Sequence, residues 1–519
     1  MKVKLFLLSA LVLLGQSDFI RAATESDYAV VVSASTAQDK GWAKVVAALK
    51  MKHHAAVVTA TNVFGVESRD QLRQLQPRYV AFVAKPEEVG VEFVRQAHLL
   101  SRTMDDDPYA DFMWGIITGA TADAALRQAQ VVKPLVVRRA LTTTGINAGP
   151  LDACLTLSDG KAGDFMLKNK KEIIHGTKTN DTVSAHERFL KYYNQNDIDL
   201  LVSSSHSTEV NLEMPFTDGS IVISGEHMFM VDKKGLYAFV RAVSGKEGSG
   251  LWFQSSEGAA NRAGWAKTAT APELRHAANP KIYIAAGNCL IGDAMNTSDS
   301  LVMDWLSYQG VDQFVGYTVP TWFGKGGWGT LELWQDYGGQ INLAEAFFLN
   351  NQRLVHKLVT DFPEVASLEL DQKSLNQIAG EDHSKPTPAV YKLDAALKQF
   401  PAKQRNDLVG YLYDRDVVAF YGDPKWDARL DATKAETPVK WHWSGKTGHR
   451  TLEIQCVKDF KKSELVILLP ERMKNATTTA EAGLDVALND EFVWISNPDF
   501  TAGKTYRIEI LPTKIVKNN

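Results

Sequence analysis

Short apolar runs alternate with helix-patterned stretches along the first third of the chain. YAVVVSAS, AAVVTAT and RYVAFVAK are rich in β-branched residues, whereas GWAKVVAALKMKH, RDQLRQLQ and VEFVRQAHLLSRT repeat apolar residues at helical spacing. ADFMWGIITG and TADAALRQAQ add one more strand and one more helix. Strands alternating with helices of this length predict βαβ units and a parallel sheet. Residues 24–148 therefore read as one α/β layer.

A second alternating series, read over residues 149–436, starts at LDACLTLSDG and passes through the helical AHERFLKYYNQ to the apolar run of IDLLVSSSHSTE. An insertion over 210–280 follows. Within it SIVISGEHMFMVD and LYAFVRAVSG read as antiparallel strands, and a Gly/Ala/Ser-rich stretch comes after them. Such an insertion fits a lid or binding wall, and fits a decorative addition equally well. KIYIAAGNCLIGD then supplies a strand, SDSLVMDWLSYQ a helix, VDQFVGYTV a strand, PTWFGKGGWG a loop, and NLAEAFFLNNQRLVHKL further helix. From 437 the pattern changes to short strands separated by turn residues, KWHWSG, TLEIQCV, ELVILLPE, AGLDVAL, EFVWISN and TYRIEIL. That pattern predicts a small β-sandwich over 437–519.

At 519 residues the chain exceeds one ordinary core, and domain-size statistics suggest about three units. A 45% hydrophobic and 23% charged composition is that of a packed protein. The formal net charge is −4, with both signs interspersed and no Lys/Arg block, so nothing points to nucleic acid or an anionic membrane surface. At the amino end Lys2 and Lys4 precede LFLLSALVLLG, and Arg21-Ala22-Ala23 follows. The segment is too short to span a bilayer and reads as a signal peptide over 1–23, predicting export to the periplasm, cell surface or medium. No later run has the length and apolarity of a transmembrane helix, so the mature protein is expected not to be integral to a membrane.

Export permits disulfides, yet only Cys154, Cys289 and Cys456 are present, and an odd count leaves at least one thiol unpaired within the chain. Cys154 and Cys456 sit in strand-like apolar surroundings and read as small buried side chains. Cys289 instead follows its apolar run, between Gly287 and Gly292.

Two apolar runs thus end in chemistry-bearing residues, His206 and Cys289. If these strands lie side by side and parallel, about 4.8 Å apart, their carboxyl ends deliver an imidazole and a thiol to one crevice. That pairing is the equipment of a cysteine hydrolase, in which the base lowers the thiol pKa and then protonates the leaving amine. Each residue alone has a bland explanation, a buried small hydrophobe or a hydrogen-bonded histidine at a strand end. Both together, in this order, favour chemistry.

LLVSSSHSTE and GNCLIGD, with the earlier DDDPYADFMWGIITGATADAAL and the later AFYGDPKWDARL, taken in their order along the chain, resemble the gingipain-type cysteine peptidases of the caspase-like clan. The resemblance implies an α/β fold with a caspase/gingipain-like parallel-sheet catalytic unit in two subdomains, plus a carboxyl-terminal all-β immunoglobulin-like sandwich. It implies an exported cysteine endopeptidase acting on protein or peptide substrates, with Cys289 as nucleophile, His206 as base, and backbone N–H groups of Cys289 and Ser207 holding the oxyanion. It also suggests Asp159 as the acid that orients the imidazole, with Glu209 as another candidate. No cofactor is required by this chemistry. Calcium enters by family analogy alone, since no EF-hand spacing is present, and the DDDP run at 105–108 reads as a solvated loop.

Two positions depart from the family pattern. Ser207 stands where the family has Gly after the catalytic His, and Ile116 stands where it has an Arg. His175, followed by Gly176, is a rival base, although its apolar run is only two residues long. Trp322 and Trp328, with Thr318 beside them, are candidates for lining a specificity pocket, and Glu209, Asp159 and Asp293 are candidate acids for a basic substrate side chain. A catalytically silent binding or assembly protein and a transpeptidase of the same fold remain the alternative readings; oligomeric state is not legible.

Overall fold

The structure is a computed structural model that describes residues 26–177, 182–244 and 256–512. The amino-terminal segment expected to be a signal peptide lies outside the described residues. The chain has a mixed α/β architecture built on one twelve-stranded sheet, followed by antiparallel sheets at the carboxyl end. In chain order its strands are β1 (Tyr28–Ser33), β2 (Ala56–Ala60), β3 (Tyr79–Val83), β4 (Met113–Ile117), β5 (Arg139–Thr142), β6 (Ala153–Leu157), β7 (Phe165–Asn169), β8 (Glu172–Gly176), β9 (Leu200–Ser203), β10 (Lys281–Ala285), β11 (Val311–Tyr317) and β12 (Val418–Gly422). Their order across the sheet is β2-β1-β3-β4-β12-β11-β10-β9-β5-β6-β7-β8.

Most neighbours are parallel; β12 against β11, and the two pairs β6–β7 and β7–β8, are antiparallel. The central strands β4, β9, β10, β11 and β12 are buried at every position. That is why they read as continuous apolar runs: a strand covered on both faces has no polar side to alternate with. Helices Lys40–His53, Val66–Leu75, Val91–Ser101, Ala122–Gln130, Ala185–Gln195, Leu301–Tyr308 and Leu343–Asp361 form where helical periodicity was visible. Arg139–Thr142 pairs with β9 and β6, so the strand just before residue 148 belongs to the half of the sheet that carries the candidate site.

The two halves meet at β4 and β12. Ile116 is fully buried and stands opposite Tyr421. Just beyond, Asp423 accepts from Tyr28 Oη at 2.9 Å and pairs with Lys52 at 2.8 Å and His53 at 2.7 Å. Burial alone would push this carboxyl up in pKa; the His53 hydrogen bond and the Lys52 charge overcome that and hold it well below the usual carboxylate range. The Tyr-Gly-Asp-Pro segment is therefore a structural joint.

In the insertion, Asn211–Glu213, Ser220–Ser224 and His227–Val231 form an antiparallel sheet. LYAFVRAVSG, expected as a strand, is helical within Lys233–Ser244. The correction is visible in the spacing: Leu236, Phe239 and Val243 are buried, an i, i+3, i+7 pattern that only a helix places on one face.

The carboxyl-terminal residues form a four-stranded sheet, with Val439–Lys446, His449–Cys456, Thr505–Pro512 and Ala476–Ala480 in that order, and a three-stranded sheet of Glu464–Leu468, Phe492–Ser496 and Asp485–Leu488. Their core is continuous with that of the α/β part. Tyr337 Oη donates to the Val466 carbonyl at 2.7 Å, and Arg353 pairs with Glu464 at 2.8 Å across the junction. Among the described residues no helix is long and apolar enough to cross a membrane.

Candidate active site

β9 and β10 run parallel and in register, Leu200 opposite Ile282 through Ser203 opposite Ala285. Adjacent strands lie about 4.8 Å apart, so the segments leaving their carboxyl ends begin side by side. One carries His206 and the other Cys289. Both line a single cleft of about 640 Å³, together with Asp159, Phe216, Thr217, Gly287 and Trp322 among others.

Buried polar contacts lock the two segments together. Asn288 is fully buried; its amide donates to the Ser205 carbonyl at 2.8 Å and its oxygen accepts from the Ser203 hydroxyl. Ser207 Oγ donates to the Cys289 carbonyl at 2.6 Å. Gly287 permits the approach, since a Cβ there would stand 2.3 Å from Ser204 Oγ and 2.9 Å from Trp328 Nε1.

The thiol of Cys289 is half-buried, and its Sγ accepts a hydrogen bond from the Thr321 N–H at 3.2 Å. The Thr321 hydroxyl donates in turn to the Asn288 carbonyl at 2.9 Å, which fixes that N–H in place. Among the described residues neither the Cys289 N–H nor the Ser207 N–H is taken up by a protein acceptor. Ser207 bridges to Leu212 through the flanking residues, the Glu213 N–H donating to the His206 carbonyl at 2.9 Å and the Thr208 N–H to Asn211. Among the described residues both backbone donors are thus left for another acceptor.

The His206 ring is exposed at the cleft and has no hydrogen-bond partner among the described residues. Asp159 follows β6, two strands away from β9, lines the same cleft, and accepts a hydrogen bond from the Thr144 hydroxyl. His175 lies on β8 at the sheet's edge, five strands from β10, about 24 Å away at the usual spacing. It is too distant to act on Cys289.

Trp322 lines the cleft and is largely exposed. Trp328 sits in the first turn of helix Gly327–Asp336, with its indole beneath Gly287. Glu209 and Thr318 lie outside the cleft lining: Glu209 is buried with its carbonyl accepting from the Leu301 N–H, and Thr318 Oγ1 donates to the Val417 carbonyl. Asp293 is buried near Glu209, accepting from the Met295 N–H at 2.9 Å. Burial pushes its carboxyl up to about 7, the Met295 hydrogen bond opposes that, and the Glu209 charge adds to it.

Four residues escaped sequence reasoning. Thr321 acts through its backbone N–H, which leaves no side-chain signature. Asn288 carried a weak signal, an amide at the end of an apolar strand directly before the thiol. Phe216 and Thr217 adopt left-handed backbone angles, φ 62° and 55°, a conformation that costs bulky and β-branched residues about 1–2 kcal/mol each. Pro215 and Gly219 marked the turn without revealing which ring it would present.

Cys154 and Cys456 are buried and unpaired, so all three cysteines are free thiols. Away from the cleft, Asp105, Asp111 and Asp490 bring carboxylate oxygens within 4.8 Å of one another. Arg472, which pairs closely with Glu491, also stands 3.7 Å from Asp490. Comparison with protein-family models, curated proteins and solved structures gives no match for this chain.

Proposed function

We propose that the chain is an exported cysteine endopeptidase of gingipain-like fold, with Cys289 as nucleophile and His206 as general base, and with an immunoglobulin-like sandwich at the carboxyl end. The observation that carries this reading is the convergence of the Cys289 thiol and the His206 imidazole on one cleft from the ends of adjacent parallel strands. Crevices at strand carboxyl ends are where open α/β sheets bind ligands.

In the proposed reaction His206 takes the thiol proton as Cys289 sulfur attacks the peptide carbonyl. The oxyanion is received by the Cys289 and Ser207 N–H groups, a donor of this kind contributing about 3 kcal/mol in characterised hydrolases. Collapse expels the amine, which takes its proton from His206 and leaves a thioester. Water, deprotonated by His206, then hydrolyses the thioester and regenerates the thiol. Asp159 is the cleft's acid and would stabilise the imidazolium through the field of its carboxylate.

A noncatalytic binding protein of the same fold is the second reading, favoured by one observation: the His206 ring is held by no orienting hydrogen bond among the described residues. Labelling with peptidyl electrophiles, with adduct mapping by mass spectrometry, separates the two. The peptidase reading requires modification at Cys289 that is lost in His206→Ala; a folded protein whose Cys289 stays inert would overturn it.

A further inference from the structure

Two rings face solvent at the mouth of the cleft, and both are held there by their backbones. Phe216 is 52% exposed and Trp322 58% exposed, and among the described residues no other Phe or Trp is so open. Single exposed aliphatic residues are ordinary on a protein surface, but two large aromatics concentrated in one cleft beside a free thiol are not.

The turn carrying Phe216 is built to present it. The Met214 N–H donates to the Gly219 carbonyl at 2.9 Å, and the Thr217 N–H to the Met214 carbonyl at 3.0 Å. The Asp218 carboxylate accepts from the Ala185 N–H at 2.6 Å, anchoring the turn on the start of helix Ala185–Gln195. A Cβ at Gly219 would stand 2.5 Å from His186, so the turn is seated tightly. The left-handed angles at Phe216 and Thr217 persist because these contacts over-determine them.

Trp322 is fixed from both sides. Thr321 is tied to Cys289 and Asn288, the Pro320 carbonyl accepts from Tyr413 Oη at 3.1 Å, and the Phe323 ring packs on Tyr413 at 5.4 Å. Its two neighbours turn inward while its own indole stays in the cleft. The only acid in the lining is Asp159, which is exposed and already accepts from Thr144. A buried, unpaired carboxylate to select a basic side chain is not found in that lining.

We infer that Phe216 and Trp322 form the recognition wall for an apolar or aromatic side chain of the peptide, adjacent to the bond that Cys289 attacks. This rests on the cysteine-hydrolase reading and assigns its substrate class. Pre-fixed rings supply contact area without paying to order it on binding, and they exclude water from the thiol when covered.

The test is a library of internally quenched peptides varied at one side chain, run on the full-length protein, Phe216→Ala, Trp322→Ala and Asp159→Asn. Iodoacetamide alkylation of Cys289 serves as a measure of thiol reactivity independent of peptide recognition, and equilibrium binding of the same peptides is measured on Cys289→Ala. The inference expects cleavage after Phe, Tyr, Leu or Met, a loss of about tenfold in kcat/KM in each aromatic variant, and unchanged iodoacetamide rates. Cleavage after Arg or Lys that depends on Asp159 and ignores both aromatics would overturn the inference while leaving the hydrolase reading intact. No cleavage, with apolar peptides still bound in a Phe216- and Trp322-dependent way, would overturn hydrolysis and support the recognition wall; no binding and no cleavage would overturn both.

Discussion

Ser207 Oγ donates to the carbonyl oxygen of Cys289 at 2.6 Å, so the residue after the candidate base holds the backbone of the candidate nucleophile. A side chain at this position therefore has work that glycine could not do. Ser207 is 8% exposed, and its hydroxyl is turned away from the cleft lining. Ser207→Ala should lower unfolding free energy by about 1 kcal/mol, the net worth of one such hydrogen bond. Ser207→Gly should lose more, because it adds backbone freedom at this turn. Urea unfolding of both variants checks the order; a Gly variant as stable as the parent would remove the clamp from the account.

His206 is exposed and its ring is unbonded among the described residues, so it contributes little to the fold. His206→Ala should keep the parent Tm while lowering peptide hydrolysis by about 100-fold or more, the usual worth of general acid–base catalysis. Thermal unfolding beside a turnover assay separates loss of chemistry from loss of structure. A variant with parental turnover would exclude His206 as the base.

Gly287 lets the two strand-end segments close on each other. An added Cβ at 2.3 Å from Ser204 Oγ has no free space, and Trp328 blocks the other side. Gly287→Ala should cost about 1–3 kcal/mol by overpacking and should slow Cys289 alkylation by displacing the thiol. Chemical unfolding and iodoacetamide kinetics on the same preparation test both halves.

What could be read from the sequence follows from how each feature is encoded. Strands buried on both faces announce themselves as unbroken apolar runs, and β9 and β10 were legible for that reason. β8 was not, because every residue from Glu172 to His175 is exposed and its edge position demands no apolar pattern. The misread segment from Leu236 to Ser244 shows that a β-branched, aromatic-rich stretch can still follow a helical period when only one face is buried. The expectation that these two strands lie side by side and parallel agrees with the pairing of β9 and β10. Backbone donors such as the Thr321 N–H, and the outward fix of Phe216, depend on tertiary contacts that no local pattern records.

Asp423 is the joint between the two halves of the sheet, meeting Tyr28, Lys52 and His53 while 2% exposed. Asp423→Ala would leave the Lys52 ammonium partly buried without its counter-charge and the His53 ring without its hydrogen-bond partner. Removing one partner of a buried pair costs about 3–5 kcal/mol. The expected result is a large fall in Tm with the cleft residues unchanged in identity and reach, checked by calorimetry. A loss below about 1 kcal/mol, typical of exposed pairs, would show that this cluster does not hold the halves together.

Asp293 links stability to pH. Its folded-state carboxyl is raised to about 7, chiefly by burial, against about 3.9 for an unfolded aspartate. Between those values the folded protein binds a proton that the unfolded chain has lost, so this group's stabilisation is greatest at low pH and declines as pH rises towards 7. Its slope approaches about 1.4 kcal/mol per pH unit within that window. Glu209 faces the same carboxyl, and its negative charge reinforces the shift. Asp293→Asn mimics the protonated acid and should flatten the slope between pH 4 and pH 7 while raising stability at neutral pH, measured as urea midpoints across that range. An unchanged pH dependence in Asp293→Asn would show that Asp293 remains ionised in its buried setting and that its charge is met by contacts other than the Met295 N–H.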